Sequence, residues 1–174
     1  MAAARAAIAV EPSPAVLAKL RELLAAVADP EIPVLSVLDL GVIRHLRQHG
    51  DGTIEVGVAP TYSGCPATAV IKADIIKALT GHGFRAVAVD VLSPPWTSDW
   101  LSEDGRRKLM AFGIAPPAES VTSARRLLQP DPAVACPRCR SLQTTRLSEF
   151  GSTPCKALYR CDACLEPFDY FKCI

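Results

Sequence analysis

The cysteines divide this chain before any other feature is read. Six of the seven, Cys136, Cys139, Cys155, Cys161, Cys164 and Cys173, crowd into residues 136–174, and Cys65 stands alone ahead of them. Cys136-Pro137-Arg138-Cys139 and Cys161-Asp162-Ala163-Cys164 form two C-x-x-C pairs with 21 residues between them. Two such pairs supply four thiolates at about 2.3 Å around one tetrahedral zinc. The gap lies one residue beyond the usual spacing of about 15–20. A segment this short buries too little apolar surface to fold unaided, so the spacing predicts a structural zinc on Cys136, Cys139, Cys161 and Cys164. The surrounding pattern suits a ribbon with strands near 142–148, 156–160 and 167–172. All four ligand positions are filled by protein, which leaves none open for catalysis. Cys155 and Cys173 remain as auxiliary thiols: core side chains, substitute ligands, or part of an iron–sulfur site, which also uses four cysteines. Phe150, Tyr159, Phe168, Tyr170 and Phe171 lie in the same stretch, and at least two of them should fill the ribbon's core.

A length of 174 residues allows one domain, or a modest domain plus a small one. With 49% hydrophobic and 21% charged residues the composition is that of a globular chain. A net charge of +1 argues against a nucleic-acid or membrane-surface partner. The charge-free run that ends at Ile71 is interrupted by Pro60, Ser63, Gly64 and Pro66, so it is no membrane span. Glu11 and Pro12 end the N-terminal apolar run too early for a signal-peptide core. A cytoplasmic location follows, with thiols kept reduced unless a metal takes them.

Residues 14–114 read as α-β-β-α-β, an α+β arrangement. Ser13 and Pro14 open a helix whose stripe is Val16, Leu17, Leu20, Leu23, Leu24 and Val27. Asp29-Pro30 stops it. Strands follow at 42–48 and 53–59 around Gly50-Asp51-Gly52, then a helix over 66–80 and a strand over 84–92. The last two strands are expected to be parallel, through a right-handed crossover. A further helix is expected over 99–111. Pro116, Pro117, Pro130 and Pro132 mark 115–135 as a stiff connector that includes a short helix at 119–129. Residues 1–13 read as a flexible N-terminus, and 136–174 as the ribbon.

Two places in the first domain carry possible chemistry. Asp29-Pro30-Glu31-Ile32-Pro33, with Asp39-Leu40-Gly41 a few residues later, reads first as a helix stop and a turn, with a functional loop as the alternative. Thr61-Tyr62-Ser63-Gly64-Cys65-Pro66 leaves a strand and delivers a thiol to a helix start, where free N–H groups favour the thiolate. The plainer alternative is a small buried apolar side chain. No histidine is placed as a base for Cys65: His45 is in a strand, His49 near a turn, and His82 between glycines. The chain has no Glu-x-x-His pair for a di-iron bundle and no dinucleotide or phosphate loop.

The run DPEIPVLSVLDLG at 29–41, followed by PTYSGCPAT at 60–68, resembles the MIP18-type domain linked to iron–sulfur protein maturation, over about residues 14–112. Within that group, PTYSGCPA, WTSDWLSEDGRRKL at 96–109 and EFGSTPCKALYRCDACLEPFDYFKC at 149–173 resemble the PaaD (PaaJ) branch of the phenylacetyl-CoA epoxidase system. Arg140 stands where that family often has glycine. The resemblance implies a non-catalytic accessory or maturation subunit in aerobic phenylacetate degradation, assisting assembly or delivery of iron or an iron–sulfur cluster. It implies the other epoxidase components as partners, namely the di-iron oxygenase or the iron–sulfur flavoprotein reductase. Cys65 would be the transient metal or cluster contact, with Asp29 and Glu31 near it. The alternative is an iron-binding electron-transfer or structural subunit. A homodimer is also expected, because an α-β-β-α-β sheet leaves edge strands to be covered.

Overall fold

The computed structural model describes residues 9–62, 64–117 and 134–172. The chain divides into two compact units, Met1–Pro95 and Trp96–Ile174.

The first unit has the expected order of elements. Helix α1 (Pro14–Ala25) begins with proline in its first turn and buries Leu20, Leu23 and Leu24. It ends at Ala25, and Ala28 already bridges Ser36 before Asp29-Pro30 is reached. Strand β1 (Ile43–Gln48) runs antiparallel to β2 (Ile54–Val58), and β2 runs parallel to β3 (Ala86–Asp90). The crossover between β2 and β3 is helix α2 (Ala67–Thr80), and the sheet order is β1-β2-β3. Ile54, Val56 and Val58 of the central strand are at most 1% exposed and, with Leu20, Leu24, Ile71, Ile75 and Leu79, form the core. The alternation of β2 sends Glu55 and Gly57 to the other face.

The second unit is larger than the ribbon read from the sequence. A 3-10 turn (Ser98–Trp100) and helix α3 (Glu103–Phe112) replace the single helix expected over 99–111. The break falls at Ser102, whose hydroxyl accepts from the Gly105 N–H at 2.9 Å and so starts a new helix. Gly113 then ends α3 with φ +91°, a backbone shape open to glycine. The next two residues form β4 (Ile114–Ala115), parallel to β7 (Pro167–Phe171), in a sheet ordered β4-β7-β6-β5. Strands β5 (Thr144–Ser148) and β6 (Lys156–Cys161) complete it.

The two compact units divide at 95/96, ahead of the 115–135 stretch. The reason is apolar: Trp96 is 3% exposed and meets Phe171 edge-on at 6.0 Å. Leu101, Leu109 and Ile114 are buried as well. Tyr159, stacked on Phe168 and edge-on to Tyr170, fills the ribbon's centre. The expected helix at 119–129 and Cys173 lie outside the described residues.

Candidate metal centre and thiol site

Each C-x-x-C pair sits on a tight knuckle, and the two knuckles share one pattern. The Cys136 N–H donates to the Ser141 carbonyl, and the Cys161 N–H to the Glu166 carbonyl, both at 2.9 Å and both five residues on. The residue after each second cysteine turns left-handed: Arg140 at φ 64° and Leu165 at φ 63°. The fold of β5 and β6 brings the knuckles together. Thr145 Oγ1 donates to Asp162 Oδ2 at 2.7 Å, and Arg138 pairs with Glu166 at 2.8 Å.

The result is a four-sulfur cluster. The ligand atoms of Cys136, Cys139, Cys161 and Cys164 all lie within 4.8 Å of one another. Cys136 Sγ to Cys164 Sγ is 3.8 Å, and Cys139 Sγ to Cys161 Sγ is 3.5 Å. Four thiolates on a tetrahedral zinc stand about 3.8 Å apart, so the donor set fits a metal in size, number and softness. Cys136 and Cys161 are buried, while Cys139 and Cys164 lie on the solvent side.

Crowding splits the acidities of these thiols. Backbone N–H donors from Cys164 and Ala163, against some loss of solvent, bring Cys161 down to about 7. At Cys164 a backbone hydrogen bond from Glu166 favours the thiolate, but burial and the neighbouring thiols outweigh it and push it up to about 12. Only a cation placed among the four makes every one of them ionise together. Cys155 stands apart from the group, buried, with its sulfur 3.0 Å from Thr153 Oγ1.

In the first unit Cys65 is half-exposed at the mouth of α2. Its N–H donates to the Tyr62 carbonyl at 3.3 Å, and its carbonyl accepts from Thr68 at 3.2 Å. Gly64 before it has φ +85°, and Pro66 after it caps the helix. Asp29 has a structural occupation: Oδ1 accepts from the Glu31 and Ile32 N–H groups at 2.9 and 2.7 Å, closing the turn after α1. Asp39 does the same for Ser36. Asp29, Pro30 and Pro33 line a groove of about 560 Å³ with Asp74, Lys77 and His82 of α2. Cys65 precedes the other end of that helix, and Asp74 comes nine residues later, roughly 13 Å along the axis. Among the described residues, no group of three or more metal-ligating atoms includes Cys65, Asp29 or Glu31.

One cluster was missed from the sequence. His45 and His49 both reach Glu55, Nε2 to Oε1 at 3.0 Å and Nε2 to Oε2 at 3.1 Å. Burial works against the Glu55 carboxylate, but the two histidine hydrogen bonds outweigh it and hold the group below the usual glutamate range. His45 lies across Gly57, where an added Cβ would overlap the imidazole. The signal was present: His45, Arg47 and His49 alternate along one face, and the hairpin register sets Arg47 opposite Glu55.

The α-β-β-α-β unit and the four-cysteine ribbon define an iron–sulfur assembly-type protein that carries a metal-binding ribbon. Residues 17–91 match the model described as "Iron-sulfur cluster assembly protein", and residues 120–172 the "PaaD zinc beta ribbon domain". The chain is 53% identical over 153 residues to the D subunit of the "Putative 1,2-phenylacetyl-CoA epoxidase" of Escherichia coli K12, covering 87% of this chain and 90% of that one. It therefore belongs to the PaaD family. It is also 31% identical over 90 residues to "Fe-S protein maturation auxiliary factor YitW" of Bacillus subtilis 168, covering 51% of this chain and 84% of that one. A solved DUF59 domain from Bacillus anthracis superposes with a TM-score of 0.51 at 26% identity, over 55% of this chain and 92% of that one. Among the described residues no helix is long and apolar enough to cross a membrane.

Proposed function

We propose that this chain is an accessory subunit of a multicomponent phenylacetyl-CoA epoxidase, and that it helps load iron or an iron–sulfur cluster into another subunit. The observation that carries this reading is Cys65: a half-exposed thiol at a helix entrance, on an assembly-type domain, in a chain 53% identical to a protein named as an epoxidase subunit. The iron or cluster is cargo. A single soft ligand releases a metal readily. Asp29 shapes the loop after α1. The recipient subunit supplies the remaining ligands.

The ribbon metal, in this reading, is zinc in a structural role. Cys136, Cys139, Cys161 and Cys164 would hold it. Bound zinc supplies positive charge that keeps all four sulfurs ionised and joins the two knuckles. The chain itself performs no oxidation. The four ligands leave no open position, and Glu55 with His45 and His49 is a hydrogen-bonded group on a sheet face.

Co-expression with the other epoxidase subunits tests the proposal. Cys65→Ser changes one atom and leaves the fold intact, because the side chain is half-exposed. The variant is expected to yield assembled epoxidase with depleted iron and little activity. Full iron content and activity with folded Cys65→Ser would overturn it, and the domain would then be a docking subunit.

A further inference from the structure

We infer that β3 pairs antiparallel with β3 of a second copy of this chain, joining two three-stranded sheets into one across a two-fold axis. The two edges of the first unit's sheet are built differently. The outer edge of β1 is defended: Val10 and Gln48 exchange backbone bonds at 3.0 and 2.8 Å, and the ladder is bulged between Ile43 and His45. Arg44 and Arg47 add exposed charge there. Among the described residues the edge of β3 has none of these devices. Its ladder to β2 runs unbroken from Ile54–Ala86 to Val58–Asp90, the strand holds neither proline nor lysine, and Val87 is 42% exposed. An edge of this kind is a template for a further strand.

The hydrogen bonds fix which groups are on offer. The Arg85 carbonyl accepts from Ile54, and the Val91 N–H donates to Val58, so residues 85, 87, 89 and 91 turn their backbones to β2. The N–H and C=O groups of Ala86, Ala88 and Asp90 turn outward. Two antiparallel copies centred on Ala88 set Ala86 opposite Asp90 of the second copy and Ala88 opposite Ala88. Those three pairs make about six N–H···O bonds.

The side chains suit a second copy in this register. Ala86 and Ala88 are small and share the face of Ile54 and Val56, so the strands approach without collision beside α2. On the other face Val87 meets Val89 of the second copy, a cross-strand pair that covers the exposed valine. Arg85, which also reaches Asp51 of its own chain, and Asp90 carry opposite charges at opposite ends of the strand. Antiparallel copies place each cationic end beside an anionic one, whereas parallel copies place like with like. Asp90, already paired with Lys72 at 2.9 Å, faces alanine and not a second aspartate. The two-fold arrangement uses up both β3 edges and closes.

Sedimentation of the zinc-loaded full chain tests this, with amide exchange as a second readout. The wild type is expected to be a dimer at tens of micromolar. The Ala88 amide should exchange slowly in concentrated protein and at least tenfold faster on dilution to monomer. Ala88→Pro removes one outward N–H and no bond to β2, a place where an edge strand tolerates proline. Val87→Lys sets a charge on the valine contact and leaves the backbone unchanged, so it covers the case in which the proline variant does not fold. Folded monomers from either variant support the interface. A monomeric wild type, or a dimer that persists in both folded variants, overturns it.

Discussion

Arg140 and Leu165 are counterparts, each the residue after the second cysteine of a knuckle, and each left-handed at φ 64° and 63°. Neither is glycine, and a left-handed backbone costs an L residue about 1–2 kcal/mol. The strain is tolerated because this turn lets the Cys136 N–H reach Ser141 and the Cys161 N–H reach Glu166. Arg140→Gly and Leu165→Gly should each stabilise the metal-bound second unit by about 0.5–1 kcal/mol, since glycine's larger unfolded-state freedom offsets part of the relief. Denaturant midpoints at constant zinc check this. Alanine at the same positions should give no such gain.

Removing the metal should unfold the second unit alone. Both tryptophans, Trp96 and Trp100, belong to it, so tryptophan emission reports on that unit and not on the first. Cys136→Ser, or a strong chelator, should abolish binding of one zinc per chain and shift the emission to longer wavelength. Helix signal from α1 and α2 should remain. The effect is expected to be large because ligand binding and folding are coupled in small metal domains. Because Trp96 packs on Phe171, the loss should extend back through α3 and not stop at residue 136.

That last point marks where the sequence stopped being legible. Local patterns located α1, the three strands of the first unit and the ribbon strands to within a few residues, and C-x-x-C spacing selected all four cluster thiols. Long-range packing left no local trace. Nothing in Trp96-Thr97-Ser98 announces a contact with Phe171, and Ile114–Ala115 is too short to show strand alternation, yet both tie α3 to the ribbon. The Asp29 motif shows the same limit from the other side. Its residues read first as a helix stop and a turn, and the carboxylate does close that turn, while the metal contact came only from the family resemblance.

Glu55 should leave a mark on the acid limb of the stability curve. Its folded-state pKa lies below the ordinary value, so its contribution is complete above the unfolded pKa, about 4.3, and disappears as pH falls through the lower folded value. Glu55→Gln should cost about 1–2 kcal/mol at pH 7, because the His45 and His49 hydrogen bonds lose their charged acceptor. Below pH 4 the gap between variant and wild type should narrow steadily. Chemical denaturation at a series of pH values measures it, and a gap that widens toward low pH would refute the assignment.

Lys156 is 4% exposed, its ammonium is 3.6 Å from Asp169 Oδ2, and Ser152 donates to the same oxygen at 2.9 Å. The lysine stands at the start of β6 opposite Phe171, where the apolar core leaves little room for water. Burying this pair has a desolvation cost that its mutual attraction repays only in part, so removing one member differs from removing the other. Asp169→Asn strands a buried cation and frees the Ser152 loop, and should cost about 3–5 kcal/mol. Lys156→Met keeps the stem's volume and leaves Asp169, which is partly exposed, with Ser152 and solvent. It should cost less than about 1.5 kcal/mol. The double variant should recover most of the Asp169→Asn loss, since no unpaired ammonium is left inside. Thermal unfolding of the four proteins at saturating zinc gives the comparison. Equal losses from the two single variants would mean that the pair acts as an ordinary surface ion pair and that Lys156 is not desolvated.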